Sequence, residues 1–209
     1  MDRLPDRYFD DVYAAASDPW RLAERWYEER KYAITMAMLP NARYRHAFEP
    51  GCSVGVLTEQ LTLRCDHVTS SDVAAAALDA TRDRVERSGR SDRLTLSGTS
   101  LDGDWPADVD LVVVSEVAYY LHPDTLRLVL DRECPRLAPG ATVVAAHWRH
   151  SVEDYPMSGD EANALITSTA EMTVVAHYVD DDVVIDLLVK GPSESVAVRE
   201  GVPGAMPRI

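Results

Sequence analysis

Apolar runs alternate with amphipathic segments along most of this chain. DLVVVSEV (110–117) and ATVVAAHW (141–148) are almost continuously apolar, which is typical of strands buried on both faces. Shorter strands are predicted at 46–49, 67–72 and 93–98. Helices are predicted between and before them, at 20–39, 56–65, 73–89 and 123–137. Because strands that alternate with helices pair in parallel, the pattern predicts an α/β fold with helices on both faces of a mostly parallel sheet.

The end of the chain has a different pattern. TVVAHYV (173–179) and VVIDLLV (183–189) are separated only by the polar tip Asp180–Asp182. This spacing predicts an antiparallel terminal hairpin. The three aspartates could bind a divalent ion, but a polar hairpin tip is the favoured interpretation, and a metal requirement stays open.

The chain divides into one domain with a short segment at each end. We predict a single domain over 18–190, a solvated N-terminal lead over 1–17 and an extended, Gly- and Pro-rich tail over 191–209. The acidic residues of the lead are Asp2, Asp6, Asp10 and Asp11. Within the domain, Asp18 and Pro19 are predicted to start the helix over 20–39. The tail could pack on a second subunit, so a homodimer is the expected assembly.

Charge and cysteine usage restrict the class of substrate. The net charge is −14 without any Lys/Arg-rich run, which disfavours nucleic acid and anionic membrane surfaces as partners. A neutral or cationic small molecule, or an oligosaccharide, fits better. The chain has no apolar run near the roughly 20 residues of a membrane span. Three widely spaced cysteines predict reduced thiols and a cytoplasmic protein.

A glycine turn follows the first predicted strand. EPGCSVG (49–55) lies at a strand-to-helix junction, where helical N–H groups and a close backbone approach favour a nucleotide-like ligand. Asp72 ends the next strand at about the 20-residue spacing typical of an acid that binds a ribose diol. Its alternative role is the N-cap of the following helix. The GxGxxG pattern of dinucleotide sites is absent, so NAD is disfavoured.

These segments together resemble a known family. EPGCSVG, the SSD that ends the second strand and VVVSEVAYYL at the fourth resemble the class I S-adenosylmethionine-dependent methyltransferases. WYEERKYAITMAMLPNARYRHAFEPGCSVG and AAHWRHSVEDYPMSGDEA resemble the nodulation protein S-like branch of that family. The actinobacterial methylmannose polysaccharide methyltransferases are one group to which the chain could belong. The resemblance implies a Rossmann-like, seven-stranded sheet with an antiparallel seventh strand, and S-adenosyl-L-methionine as cofactor.

The resemblance also implies a set of cofactor-binding residues. They are Trp20, Arg30, Glu49, Gly51, Ser53, Asp72, Val73, Ser100, Leu101 and Ser115. Ser53 departs from the family's E-x-G-x-G-x-G loop, in which this position is a glycine. Trp20 and Arg30 would close the site from above. Arg30 would either pair with the cofactor's carboxylate or be a solvated helix charge.

The loop HWRHSVEDYP (147–156) offers acid–base and acceptor-binding groups. His147 is the first candidate for a general base because imidazole titrates near neutral pH, with a satisfied strand-end histidine as the alternative. His150 and Glu116 are the other candidates. The side chains expected to bind the acceptor, the aromatic ones by stacking on a sugar ring, are Tyr119, Tyr120, Trp148, Arg149, Asp154 and Tyr155.

Three functions remain open on the sequence. The leading hypothesis is O-methylation of a hydroxyl of a sugar or oligosaccharide, such as a mannoside. The second is N-methylation of an amino sugar or small natural product. The third is a non-catalytic module that binds S-adenosylmethionine, for which Ser53 is the one supporting feature.

Overall fold

The computed structural model describes residues 3–206 and contains one seven-stranded sheet in the order β3-β2-β1-β4-β5-β7-β6. The strands are β1 (Tyr44–Pro50), β2 (Cys65–Ser71), β3 (Leu94–Ser97), β4 (Leu111–Ser115), β5 (Thr142–Trp148), β6 (Met172–Val179) and β7 (Val183–Lys190). The first five pair in parallel, and β7 pairs antiparallel with both β5 and β6. The predicted Rossmann-like methyltransferase fold with an antiparallel terminal hairpin is therefore confirmed.

Helices cover both faces of this sheet. They are α1 (Asp6–Ala15), α2 (Trp26–Met38), α3 (Val56–Arg64), α4 (Ala75–Arg87), α5 (Pro123–Glu133), α6 (Gly159–Thr167) and α7 (Val196–Arg199). Alternate residues of β4 enter two separate apolar cores: Val112 packs with α5 and α6, and Val113 packs with α2 and α3. This two-sided burial explains the unbroken apolar sequence of the central strands. None of the helices in residues 3–206 is long and apolar enough to cross a membrane.

The N-terminal predictions are wrong in two places. The supposed solvated lead forms α1, which places Phe9 and Tyr13 one helical turn apart against the body of the domain. The next helix begins at Trp26, because the carboxylate of Asp18 instead accepts the N–H groups of residues 22 and 23 in a separate turn. Arg21 then adopts a left-handed φ of 57°, which an α-helix does not allow. Asp2 lies outside the described residues.

α6 was not predicted from the sequence, and part of the tail is helical rather than extended. α6 begins with a capping box, in which Ser158 and Glu161 satisfy each other's backbone N–H groups. The described part of the tail folds back on its own chain, where Arg199 donates to Asn41 Oδ1 over 2.6 Å and to the Pro40 carbonyl over 2.7 Å. Residues 207–209 lie outside the described part of the chain.

Candidate active site

A cavity of about 580 Å³ opens at the carboxyl ends of β1, β2 and β4 and is covered by residues that precede β1. Open α/β sheets bind their ligands at this edge. The predicted residues that line it are Trp20, Glu49, Gly51, Ser53, Asp72, Val73, Ser100, Leu101, Ser115, Glu116, Tyr119, Tyr120, Trp148 and Tyr155. Five other predicted residues lie outside it: Arg30, His147, Arg149, His150 and Asp154.

The glycine turn forms the floor of the cavity. Gly51 has φ 74°, and a Cβ there would lie 2.9 Å from Val117 Cγ2, so a larger residue would crowd Val117 and narrow the cavity. Ser53 also adopts a left-handed φ, 50°. Its Oγ accepts a hydrogen bond from the Tyr13 hydroxyl over 2.6 Å. The serine that replaces the family's glycine therefore ties α1 to the loop.

Two buried carboxylates flank this turn. Glu49 Oε2 accepts hydrogen bonds from Thr58 Oγ1 over 2.6 Å and Ser70 Oγ over 2.8 Å, while burial raises the pKa of Glu49 to about 7. Asp72 accepts the N–H of Ser53 over 3.0 Å on Oδ2 and that of residue 74 over 3.0 Å on Oδ1. Burial raises the pKa of Asp72 as well. Asp72 thus fixes the glycine loop and also lines the cavity.

Apolar and small side chains complete this end of the cavity. Leu101 is buried, whereas Val73 and Ser100 are half-buried beside it at the ends of β2 and β3. Trp20 covers them from the turn before α2, packed edge-on against Tyr13 at a ring distance of 5.7 Å. This combination of flat apolar walls and two carboxylates suits a nucleoside.

A buried ion cluster of Glu28, Lys31 and Glu116 forms the opposite end. Lys31, with 1% of its side chain exposed, places Nζ 2.6 Å from Glu116 Oε1 and 2.8 Å from Glu28 Oε2. Burial opposes the charge of Lys31, but the two carboxylates outweigh it and raise its pKa. Burial likewise opposes ionisation of Glu116, yet Lys31 holds the pKa of Glu116 below its usual value.

The two carboxylates of the ion cluster differ in how well they are satisfied. Glu116 Oε2 accepts the Tyr119 hydroxyl over 2.7 Å and the Trp148 N–H over 2.9 Å. Among the described residues, nothing makes a well-oriented hydrogen bond to Glu28 Oε2 or to the adjacent Tyr27 hydroxyl. Burial raises the pKa of Glu28 despite Lys31. Glu116 is thus a fixed anion, whereas Glu28 is the less fully satisfied carboxylate, because its Oε2 pairs with Lys31 without a well-oriented hydrogen bond.

Aromatic rings line the space beside the ion cluster. Tyr119 stacks on Tyr155 at 5.0 Å, and Tyr120 lies edge-on to both at 4.8 Å. Tyr27 packs edge-on against Trp148 at 5.1 Å. The predicted aromatic rim therefore exists as a wall of this cavity.

The prediction that His147 is a general base is wrong. Its side chain is fully buried with 0% exposure, behind the cavity wall. Nε2 accepts the Ala118 N–H over 3.1 Å, and Nδ1 lies 2.6 Å from Asn163 Oδ1. Both ring nitrogens are therefore engaged, as in the alternative of a satisfied histidine.

Four other predicted residues lie outside the cavity: three form ion pairs near the surface, and the fourth is exposed. Arg30 pairs with Asp180 Oδ2 over 2.7 Å, so it is not placed to bind a cofactor carboxylate. Arg149 binds Asp160 through two bonds of 2.9 and 3.1 Å and ties α6 to β5. His150 is exposed and pairs with Asp182 over 2.8 Å. Asp154 is exposed on the loop after β5.

The aspartate tip has a structural explanation. Asp180 Oδ1 accepts the N–H groups of Asp182 and Val183, each over 2.9 Å, which is how an aspartate closes a turn. Within residues 3–206, no three His, Cys, Asp or Glu side chains are grouped so that they could hold a metal ion.

Tyr27, Glu28 and Lys31 were not among the residues predicted from the sequence to form the site. They occupy positions i, i+1 and i+4 of α2 and so share one side of the helix. A lysine within reach of two helical acids is ordinary on a solvated surface. Only the position of α2 over the edge of the sheet shows that these three side chains line the cavity, and the local sequence does not reveal that position.

The chain is similar to known proteins over the residues that form this cavity. The family model of Nodulation protein S (NodS) matches residues 10–154, which contain the glycine turn, Asp72 and the whole ion cluster. Nodulation protein S of Rhizobium tropici is 34% identical over 137 residues, covering 62% of this chain. The match spans 55% of the length of that relative.

Solved structures share the fold. A candidate methyltransferase from Pseudomonas syringae is 32% identical, with a TM-score of 0.66 over 79% of this chain and 99% of that one. N-methyltransferase NodS from Bradyrhizobium japonicum WM9, solved with S-adenosyl-L-homocysteine, is 22% identical, with a TM-score of 0.78 over 90% and 99% of the two chains. Because the family model matches more than half of the length of this chain, the chain belongs to the NodS family.

Proposed function

We propose that this protein transfers a methyl group from S-adenosyl-L-methionine to an amine of a sugar-like acceptor. Family membership and the methyltransferase fold support the reaction class. The complex of the Bradyrhizobium N-methyltransferase with S-adenosyl-L-homocysteine supports the cofactor and favours the N-methylation hypothesis over the O-methylation hypothesis.

The glycine-turn end of the cavity fits the cofactor. Gly51 keeps the cavity open, and Glu49 and Asp72 present carboxylates that suit an amino group and a ribose diol. The remaining residues that would hold it are Trp20, Ser53, Val73, Ser100, Leu101 and Ser115. When bound, S-adenosyl-L-methionine supplies a methyl group activated by a sulfonium.

The excess of carboxylate in the ion cluster is the observation that favours an amine. An ammonium is a hydrogen-bond donor and a cation, and the ion cluster has two carboxylates against one lysine, a net charge of −1 when all are ionised. Glu28 would take a proton from the bound ammonium and so free the nitrogen lone pair for the methyl group that the bound cofactor would supply, with S-adenosyl-L-homocysteine as the leaving group. Its raised pKa suits this step, whereas Glu116 stays ionised and stabilises the positive charge.

The aromatic wall favours a ring-bearing acceptor. Tyr119 and Tyr155 present their rings to the cavity beside Glu116, and Trp148 lies next to Tyr27. Sugar rings present apolar C–H faces that pack on such side chains. An amino sugar, alone or in a short oligosaccharide, combines this face with an amine.

The test compares two acceptors that differ only in one acetyl group. We expect label from methyl-labelled S-adenosyl-L-methionine on an oligosaccharide with a single free amine, and none on its N-acetylated counterpart. Glu28→Gln should lower the rate by about 10² or more. The control Glu29→Gln, an exposed neighbour on α2, should keep the rate. Equal labelling of both acceptors would refute N-methylation.

O-methylation of a sugar hydroxyl is the second candidate. The unpartnered Tyr27 hydroxyl supports it, because a hydroxyl acceptor can both donate to and accept from such a group. A mannoside is the acceptor that membership of the actinobacterial methylmannose polysaccharide methyltransferases would imply. Label on a neutral mannoside, lost in Glu28→Gln, would establish this candidate in place of the first.

A further inference from the structure

A buried chain of hydrogen bonds joins the outer strand β6 to the turn that carries Glu116. His177 Nδ1 lies 2.8 Å from Asp186 Oδ1, and Asp186 Oδ2 accepts from Asn163 Nδ2 over 2.7 Å. Asn163 Oδ1 lies 2.6 Å from His147 Nδ1. His147, Asn163 and Asp186 are 0%, 2% and 5% exposed, so the chain crosses the interior.

The proton positions along this chain are fixed by its ends. The Ala118 N–H can only donate, so His147 Nε2 must carry a lone pair. Burial lowers the pKa of His147 and keeps the ring neutral, which leaves the proton on Nδ1, donated to Asn163 Oδ1. The Asn163 amide then donates to the carboxylate of Asp186. A single tautomer of His147 satisfies every partner.

We propose that His147, oriented by Asn163, is a positioning residue that holds Glu116 in place for methyl transfer. Glu116 has a left-handed φ of 54°, a strained conformation for a non-glycine residue. Such a turn persists only where its surroundings fix it. His147 does so by accepting the N–H of Ala118, two residues on.

A second contact reinforces the first. The ring of Tyr119 packs edge-on against His147 at 5.2 Å, and its hydroxyl donates to Glu116 Oε2. The imidazole therefore restrains the backbone of the turn through one residue and the carboxylate through the next. This inference rests on the proposed function only in the experiments that measure turnover of the acceptor.

The packing of α6 explains how Asn163 reaches His147. A Cβ on Gly159 would lie 2.1 Å from the Trp148 carbonyl oxygen and 2.9 Å from His147 Cβ. Glycine therefore lets the start of α6 touch β5. Asn163, one helical turn further, falls on the same face and meets the imidazole. Without the close approach at Gly159 the hydrogen bond would not form.

Two variants of His147 separate positioning from packing. In His147→Gln the side-chain amide reaches the place of Nε2 and can still accept the Ala118 N–H. In His147→Asn the amide reaches only the place of Nδ1, so the contact with Asn163 is kept and the contact with the turn is lost. We expect kcat to fall about tenfold to a hundredfold in His147→Asn and within about threefold in His147→Gln. The dissociation constant of S-adenosyl-L-homocysteine should stay within about twofold in both.

The result that overturns the proposal is an equal loss of kcat in the two variants, or a loss that appears only in cofactor binding. His67→Asn, on β2, is the matched control and should keep kcat, because His67 is a half-buried histidine that lines no part of the cavity. If no acceptor is methylated by the wild-type protein, the proposed function fails instead, and two acceptor-independent measurements decide the inference.

The first of these is the ¹⁵N spectrum of wild-type His147, which should show a neutral ring protonated on Nδ1. A ring protonated on Nε2 would overturn the proposal without any variant. The second is hydrogen exchange, which should accelerate at amides 116–119 in His147→Asn and not in His147→Gln. Unchanged exchange in both would overturn the proposal.

Discussion

The two ends of the cavity are built from different kinds of sequence. The glycine-turn end comes from strand ends and the loops that follow them, so Gly51 and Asp72 lie about one βα unit apart. The ion cluster joins α2 to the turn after β4, and its salt bridge between Lys31 and Glu116 spans 85 positions. The first end is encoded locally, whereas the second exists only once helix and sheet have packed.

The two ends of the cavity also differ in what stabilises their carboxylates. Glu49 and Asp72 are stabilised by hydroxyl and backbone donors, and within residues 3–206 no cation is among their hydrogen-bond partners. Glu116 depends on the cation of Lys31. Mutations at the ion cluster should therefore disturb folding as well as chemistry, whereas mutations at the glycine-turn end should act mainly on binding.

Removal of Lys31 should have the largest effect. Lys31→Met leaves two buried carboxylates without their cation, and we expect the free energy of unfolding at pH 7 to fall by about 3–5 kcal/mol. The double variant Lys31→Met with Glu116→Gln removes one of those charges and should recover part of the loss. A double variant no more stable than Lys31→Met would contradict the ion-pair account.

The same variant should change how stability depends on pH. In the wild type, the lowered pKa of Glu116 contributes stability that is present above the ordinary glutamate pKa and is lost as the pH falls below it. In Lys31→Met, the cation that opposed the effect of burial is gone, so the folded-state pKa values of Glu28 and Glu116 rise and the cost of burying their charges becomes smaller at acidic pH. The difference between the two proteins should shrink from pH 8 to pH 4 in thermal unfolding. A constant difference would indicate lost packing instead of lost charge.

These contrasts explain which parts of the molecule the sequence predicts. Apolar strand runs and the last hairpin give the sheet, because each is a local pattern. The start of α2 was misplaced because Asp18 caps a separate turn, a choice between two short-range options that tertiary packing decides. His147 was misjudged because its burial depends on α6, a helix whose own capping box at Ser158 was overlooked.

Asp72→Asn should act on the glycine-turn end alone. The amide keeps one acceptor oxygen for the two N–H groups that Asp72 holds, so the loop loosens and one ribose contact is lost. We expect the affinity for S-adenosyl-L-homocysteine to fall about tenfold or more, roughly 1.4 kcal/mol, by titration calorimetry. Unchanged affinity would mean that Asp72 serves only as a structural cap.

The hydrogen bond between Tyr13 and Ser53 should give a smaller effect. It joins α1 to the glycine loop, and we expect a coupling energy of about 1 kcal/mol in a double-mutant cycle of Tyr13→Phe and Ser53→Ala, measured by chemical unfolding. Alanine is preferred to glycine at position 53 because glycine would also relieve the left-handed φ. Additive single effects would show that the contact does not anchor α1.

Arg30→Gln should have the smallest effect, and its absence of effect is informative. The guanidinium is held by Asp180 and Tyr178 at the hairpin tip, outside the cavity. We therefore expect the affinity for S-adenosyl-L-homocysteine to stay within about twofold of the wild type, since exposed ion pairs contribute little. Asp180→Asn breaks the same pair from the other side and should behave alike. A tenfold loss in Arg30→Gln but not in Asp180→Asn would place the guanidinium on the cofactor after all, and would mean that α2 contributes to both ends of the cavity.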